Sequence, residues 1–149
     1  MTKGKLARSF FESGYNCAQS VACAFCDEMG MDKDTVSRLY SGFGGGIGGL
    51  REVCGAVSGM VLVLNALEGG YDVTDRDAKA KHYETVRTLA ERFKAENGTI
   101  LCRELLALSP GAIYPGPAER TKEYYLDRPC PIIVERVADI LAQYLSEKE

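Results

Sequence analysis

The sequence predicts an all-α fold, a single-domain multi-helix bundle over residues 1–149 built around a central buried helix at about residues 52–67. Three observations predict it. Apolar residues recur at helical spacing in segment after segment, and residues that favour helix N-caps stand just before those runs. No stretch reads as a strand, there is no internal repeat, and no linker is long enough to divide the chain. The stretch after Cys54 is apolar on nearly every side: Ala56, Val57, Met60, Val61, Leu62, Val63, Leu64 and Leu67 leave Ser58 and Asn65 as its polar interruptions. A helix apolar all round belongs inside a domain, and this one falls short of the roughly 20 residues that span a bilayer.

Taken in order, residues 3–13 predict a short amphipathic helix with Leu6, Ala7, Phe10 and Phe11 inward, ended by Gly14. Asn16 is a good N-cap for a second helix running to about Met29, with Cys17 as its first residue. Asp32 caps the next, where Val36, Leu39, Tyr40 and Phe43 recur at helical spacing. The glycine-dense loop around residues 42–49 and the buried helix follow, ending at Gly69-Gly70. Thr74 is expected to cap a long charged helix over residues 75–96, with Tyr83, Val86, Leu89, Ala90 and Phe93 inward and Asn97-Gly98 as its stop. Thr99 is expected to cap a short helix broken by Ser109-Pro110-Gly111. The chain to Arg128 reads as irregular, with one turn around residues 119–125. Pro131 suits the first position of a last helix, whose apolar stripe is Ile133, Val137, Ile140, Leu141 and Tyr144. Within the buried helix, Gly55 and Gly59 share a face on which another backbone can approach closely.

A length of 149 residues suits one domain with a real core. A net charge of −3 gives no reason to expect nucleic acid or an anionic membrane as partner. The start has no apolar h-region, so no secretory signal is expected and a cytoplasmic location follows. In that reducing setting six cysteines point to metal ligands or redox groups rather than structural disulfides.

The predicted caps place four of the six alike. Cys17, Cys54, Cys102 and Cys130 each fall in or beside the first turn of a different helix. There, unsatisfied N–H groups and the positive end of the helix dipole favour a thiolate, the form that binds metal and attacks disulfides. Cys54 has the most favourable surroundings of the four. The N–H groups of a loop rich in glycine are expected to face its sulfur and outweigh burial, which would make Cys54 the most consequential thiol. Gly44, Gly45, Gly46, Gly48 and Gly49 are accordingly the candidate cofactor-binding positions, aiming bare backbone N–H groups at an anionic group. Cys23 and Cys26, in C-A-F-C, lie mid-helix and point largely away from Cys17, so they are read as core or boundary residues.

Other motifs carry less. The run from Gly44 to Gly49 fits G-x-G-x-x-G, yet no strand precedes it and no βαβ unit surrounds it, which excludes a dinucleotide fold. The one histidine, His82, falls on the inward face of its helix as a boundary residue with a satisfied ring. A Ser/His/Asp hydrolase has no support.

The order Cys17, then C-G-A-V-S-G at residues 54–59, then Cys102 and Cys130 resembles the C_GCAxxG_C_C family of redox-active proteins. The resemblance extends to G-Y-N-C-A-Q at residues 14–19, to the F-G-G-G-I-G loop and to C-R-E-L-L at residues 102–106. It covers nearly the whole chain and implies a redox role for Cys17, Cys54, Cys102 and Cys130, with Cys23 and Cys26 outside the pattern. Three chemistries fit four such thiols. An iron–sulfur cluster for electron transfer ranks first and a metal-free thiol–disulfide couple second. A non-redox zinc site with four cysteine ligands ranks third, because close C-x-x-C pairs are absent from the set. A non-catalytic binding module is the alternative from another class. The sequence does not decide between an enzyme and a carrier, names no electron donor or acceptor, and leaves open whether the four thiols meet within one chain or across a homodimer interface.

Overall fold

In the computed structural model, which describes residues 1–108 and 114–148, the helices in chain order are α1 (Lys3–Glu12), α2 (Cys17–Cys23), α3 (Cys26–Met29), α4 (Lys33–Leu39), α5 (Gly55–Glu68), α6 (Arg76–Asn97), α7 (Cys102–Leu105), α8 (Lys122–Asp127) and α9 (Cys130–Glu147). The fold is all-α, as the sequence predicts. Among the described residues the one β pairing is an isolated antiparallel bridge, Val53 to Leu101. Thr2, Asn16, Asp32, Asp75 and Thr121 each accept a first-turn N–H on the side chain and begin a helix. No helix among the described residues is long and apolar enough to cross a membrane.

Several sequence expectations need correction. The helix expected from Asn16 to Met29 is two helices. At the break, Ala24 and Phe25 make tight bonds to carbonyls three residues back, and Phe25 leaves helical geometry at φ −116°, ψ 20°. The Lys3 ammonium takes the Ala24 carbonyl at 2.8 Å, which offsets the lost helical bond. The cap of α6 is Asp75 rather than Thr74. Thr99 does not cap α7: its hydroxyl accepts from Leu101 N–H, and Leu101 occupies the cap position without a side-chain bond. Leu39 (59% exposed) and Tyr83 (53%) face outward rather than into the core. The break expected at Ser109-Pro110-Gly111 lies outside the described residues.

The expected central helix is also redistributed. On α5, Ala56, Val57, Met60, Val63 and Leu64 are buried, but Val61 and Leu62 are half-buried and Asn65 and Ala66 exposed. Its apolar composition alone would imply burial all round. Instead α2 is the enclosed helix: Ala18, Ser20, Val21, Ala22 and Cys23 are buried, and α1, α4, α5 and α9 all pack on it. His82, as expected, sits at the boundary with its ring satisfied, Nε2 being 2.7 Å from Asn65 Oδ1.

The α2–α5 contact depends on glycine. A Cβ at Gly55 would lie 2.8 Å from the Phe43 carbonyl oxygen and 3.1 Å from Cys17 Cβ, and one at Gly59 would lie 2.8 Å from the Ala18 carbonyl oxygen. These neighbours include backbone, which cannot swing aside. Gly59→Ala is therefore expected to destabilise the fold by about 1–3 kcal/mol through overpacking, against a smaller gain in helix propensity. An unchanged denaturant midpoint would show that the two helices can separate at no cost.

Candidate functional site

Each of four cysteines is set by its own local device. The Asn16 side chain accepts from Gln19 N–H (2.8 Å) while the Gln19 side chain accepts from Asn16 N–H (3.0 Å), a reciprocal cap that fixes Cys17 at the head of α2. Cys54 is the N-cap residue of α5, and its N–H donates to the Ile100 carbonyl at 2.8 Å. Cys102 opens α7 and donates its N–H to the Glu52 carbonyl at 2.7 Å. These two bonds flank the Val53–Leu101 bridge, so one short ladder places Cys54 and Cys102 on a diagonal across it, Cys54 opposite Ile100 and Cys102 opposite Glu52. Cys130 opens α9 between Pro129 and Pro131. The segment leading to it is held by Arg120, whose guanidinium donates to the carbonyls of Phe11 (2.8 Å) and Tyr15 (3.1 Å) and lies over the Phe11 ring.

Cys17, Cys54, Cys102 and Cys130 line one cavity of about 400 Å3. Gly44, Gly45, Gly46, Gly48 and Gly49 form part of its wall. The loop folds back on itself. Gly48 N–H donates to the Gly42 carbonyl, Arg51 N–H to Gly45 and Glu52 N–H to Gly46. This turnback needs left-handed backbone at Gly45, Gly46, Gly48 and Gly49, and also at Ile47 and Arg51. Gly48 and Gly49 thus use their N–H groups inside the loop, whereas those of Gly44, Gly45 and Gly46 have no partner among the described residues.

Cys23 and Cys26 are outside the cavity. They stand at the break between α2 and α3 rather than mid-helix, with Cys23 buried and its sulfur 3.6 Å from Ser37 Oγ. Burial pushes the Cys26 thiol up to about 11.

The electrostatics single out a different cysteine from the one the sequence favoured. Burial pushes the Cys54 thiol up to about 12, against the lowering influence of the Val57 and Ala56 N–H groups that face it. These N–H groups belong to the first turn of α5 rather than to the glycine loop, and they close no capping hydrogen bond. Burial therefore wins at Cys54. The lowered thiol is Cys130, at about 7. The neighbouring Cys17 thiol is the largest cause, followed, against the effect of burial, by the charges of Arg128, Arg51 and Arg120. Cys17 is driven well above the usual thiol range, first by that same interaction with Cys130 and then by burial. Cys17 and Cys130 behave as one proton-sharing pair.

The arginines are the site residues that sequence reasoning missed. Arg51 Nη1 donates to Cys102 Sγ at 3.6 Å, and its guanidinium lies over the Tyr114 ring. Arg51 follows the glycine loop directly and Arg128 stands two residues before Cys130, so proximity to the cysteine motifs was the available signal. Nothing local marks Arg120. Among the described residues no group of three or more His, Cys, Asp or Glu side chains is placed to hold a metal ion.

The model of the family described as "Putative redox-active protein (C_GCAxxG_C_C)" matches residues 15–144. The chain belongs to the C_GCAxxG_C_C family. In this C_GCAxxG_C_C protein the matched span contains every cysteine of the cavity, and the redox character in the family's description is consistent with a thiol pair that shares a proton. No curated protein and no solved structure matches the chain.

Proposed function

We propose that the cavity is a redox centre working by thiol–disulfide exchange, with Cys130 as the attacking thiolate and Cys17 as its partner. One arrangement carries this reading: Cys17 and Cys130, each at the start of its own helix, line the same cavity, and the interaction with Cys17 holds the Cys130 thiol below its usual range. The attacking thiol in exchange is most effective when its pKa is near ambient pH, and a neighbouring thiol is what resolves the mixed disulfide. Cys54 and Cys102, both buried, line the same cavity.

A second reading has its own support. Four cysteines on one cavity are more than a dithiol requires, and four thiolates are what an iron–sulfur cluster takes. In that case Cys17, Cys54, Cys102 and Cys130 would hold the cluster, which would supply one-electron transfer, and the unpartnered glycine N–H groups would face its negative charge. A single zinc ion, which needs four sulfurs at about 2.3 Å from one point, does not fit the side chains as they stand.

Thiol titration tests the first reading. Alkylation of the reduced, metal-free protein is expected to show one fast cysteine, Cys130, whose rate rises with pH through a midpoint near 7. Cys17→Ala removes the main cause of that low value, so the midpoint is expected to move up toward the free-thiol value of about 8.5. A midpoint indifferent to Cys17 would remove the proton-sharing pair. Visible absorption of protein purified without oxygen decides whether a cluster is present.

A further inference from the structure

The cavity brings together three arginines. Arg51, Arg120 and Arg128 line it, and among the described residues no Asp or Glu does. Elsewhere Arg8, Arg92 and Arg103 form ion pairs, Arg103 with Glu52, the acidic neighbour of Arg51. Among the described residues none of the three cavity arginines has an acidic partner within ion-pair distance. In a chain of net charge −3 this is a local concentration of positive charge that faces the Cys130 sulfur. Their tasks also differ. Arg120 is tied down by backbone carbonyls, whereas Arg128 makes no hydrogen bond among the described residues and has only the Tyr124 ring beside it, at 5.0 Å. Arg51 commits one donor to Cys102.

The remaining walls fit an organic body. Phe11, Leu105, Leu106 and Ile133 are apolar, and the volume of about 400 Å3 lies at the small-molecule end of ligand pockets. The sulfurs line a cavity rather than an outer face, and Cys54 and Cys102 are buried, so a substrate must enter rather than dock.

Resting on the thiol–disulfide reading above, we propose that the substrate is a low-molecular-weight disulfide bearing carboxylates, held by Arg128 and Arg51 with one sulfur against Cys130. The step balances within the pair and the substrate. The Cys130 thiolate attacks one sulfur of R–S–S–R, the Cys130–S–R bond forms, and the substrate's S–S bond breaks. The released RS− takes the proton of Cys17 and leaves as RSH. The Cys17 thiolate then attacks Cys130 Sγ, the Cys17–Cys130 disulfide forms, and the second RS− is expelled. Two electrons have passed from the dithiol to the substrate. The arginines act twice: they bind the carboxylates and stabilise the negative charge on each leaving thiolate.

Single-turnover oxidation of the reduced protein by three disulfides of similar size tests this: dithiodipropionate, bis(hydroxyethyl) disulfide and cystamine, which are anionic, neutral and cationic. Each rate is divided by the rate of the same disulfide with free mercaptoethanol. The anionic disulfide is expected to exceed the neutral one by about ten-fold or more, with the cationic one slowest, and added salt is expected to compress the order. Arg128→Gln is expected to lower the anionic-to-neutral ratio toward one, and Arg128→Lys to retain most of it. Taking the ratio cancels any change in the fraction of Cys130 ionised. A ratio near one in the unaltered protein, at low and high salt alike, would overturn the substrate class and leave the dithiol reading standing. Failure of all three disulfides to form the Cys17–Cys130 bond, checked by peptide mapping, would overturn the dithiol reading itself.

Discussion

Cys130→Ser is expected to slow disulfide exchange at pH 7 by two orders of magnitude or more, about 3 kcal/mol in the barrier. The reason lies in the other thiols of the cavity. Burial holds the Cys54 thiol far above neutral pH, at about 12, so its thiolate is scarce there. Cys17 is also held protonated. The serine variant keeps the shape of the site, so its denaturant midpoint is expected to shift by less than about 1 kcal/mol. Cys17→Ser separates the two roles: the serine variant can still attack the substrate through Cys130 but cannot resolve, and a mixed disulfide is expected to accumulate and be visible by mass. If the mixed disulfide instead accumulates on Cys17 in the Cys130 variant, the roles are reversed. Under the cluster reading each of the four serine variants would lose the visible chromophore, and Cys54→Ser is then as damaging as Cys130→Ser. Under the dithiol reading Cys54→Ser leaves exchange largely intact.

The largest effect on stability is expected at Gly46. Its φ is +71°, and an added Cβ would lie 2.6 Å from the Glu52 nitrogen and 2.7 Å from Arg51 Cα. Both neighbours are backbone, and both belong to the strip that Cys102 and Arg103 bond to. Left-handed geometry costs an ordinary residue about 1–2 kcal/mol and overpacking about 1–3 kcal/mol, so Gly46→Ala is expected to lose about 2–5 kcal/mol. Gly48→Ala is the control. Its φ is +55° and nothing lies within 4 Å of the added carbon, so only the conformational cost applies. Equal denaturant midpoints for the two variants would mean that the loop yields at residues 51 and 52, and that the glycines are there for conformation alone.

The sequence carried the local part of this site and little of the long-range part. Helix caps are short-range chemistry, and Asn16, Asp32 and Pro131 announced three helix starts correctly because each acts on residues within one turn. That was enough to see Cys17, Cys54, Cys102 and Cys130 in equivalent positions. Thr74 and Thr99 misled for a related reason: Asp75 stands one residue on, and the Thr99 hydroxyl serves a turn instead of a helix. Composition failed where packing decides. The apolar run after Cys54 predicts a helix buried all round, yet α5 is open at Asn65 and Ala66, whereas the shorter α2, with small residues at Ala18, Ser20 and Ala22, has no exposed position. The ionisation of Cys54 was misjudged because the glycine loop turns several of its N–H groups onto its own carbonyls. The lowering of the Cys130 thiol depends first on Cys17 and then on charges that include Arg51, and both of these come from distant segments, which no local pattern records.

The spacing of the cysteines along the chain also bears on what happens before the cavity exists. Cys23 and Cys26 are three positions apart, whereas Cys17 and Cys130 stand near opposite ends of the chain. In a disordered polypeptide the entropy of bringing two thiols together grows with the length of the intervening loop, so chance encounter favours Cys23 with Cys26. Folding adds a second pairing without removing the first: it brings Cys17 to Cys130, while Cys23 and Cys26 stay neighbours with both thiols raised by burial. A mild oxidant is thus expected to find one close pair in the unfolded chain and two in the folded one. A Cys17–Cys130 bond marks a chain oxidised after its helix starts had met, and a Cys23–Cys26 bond carries no such record.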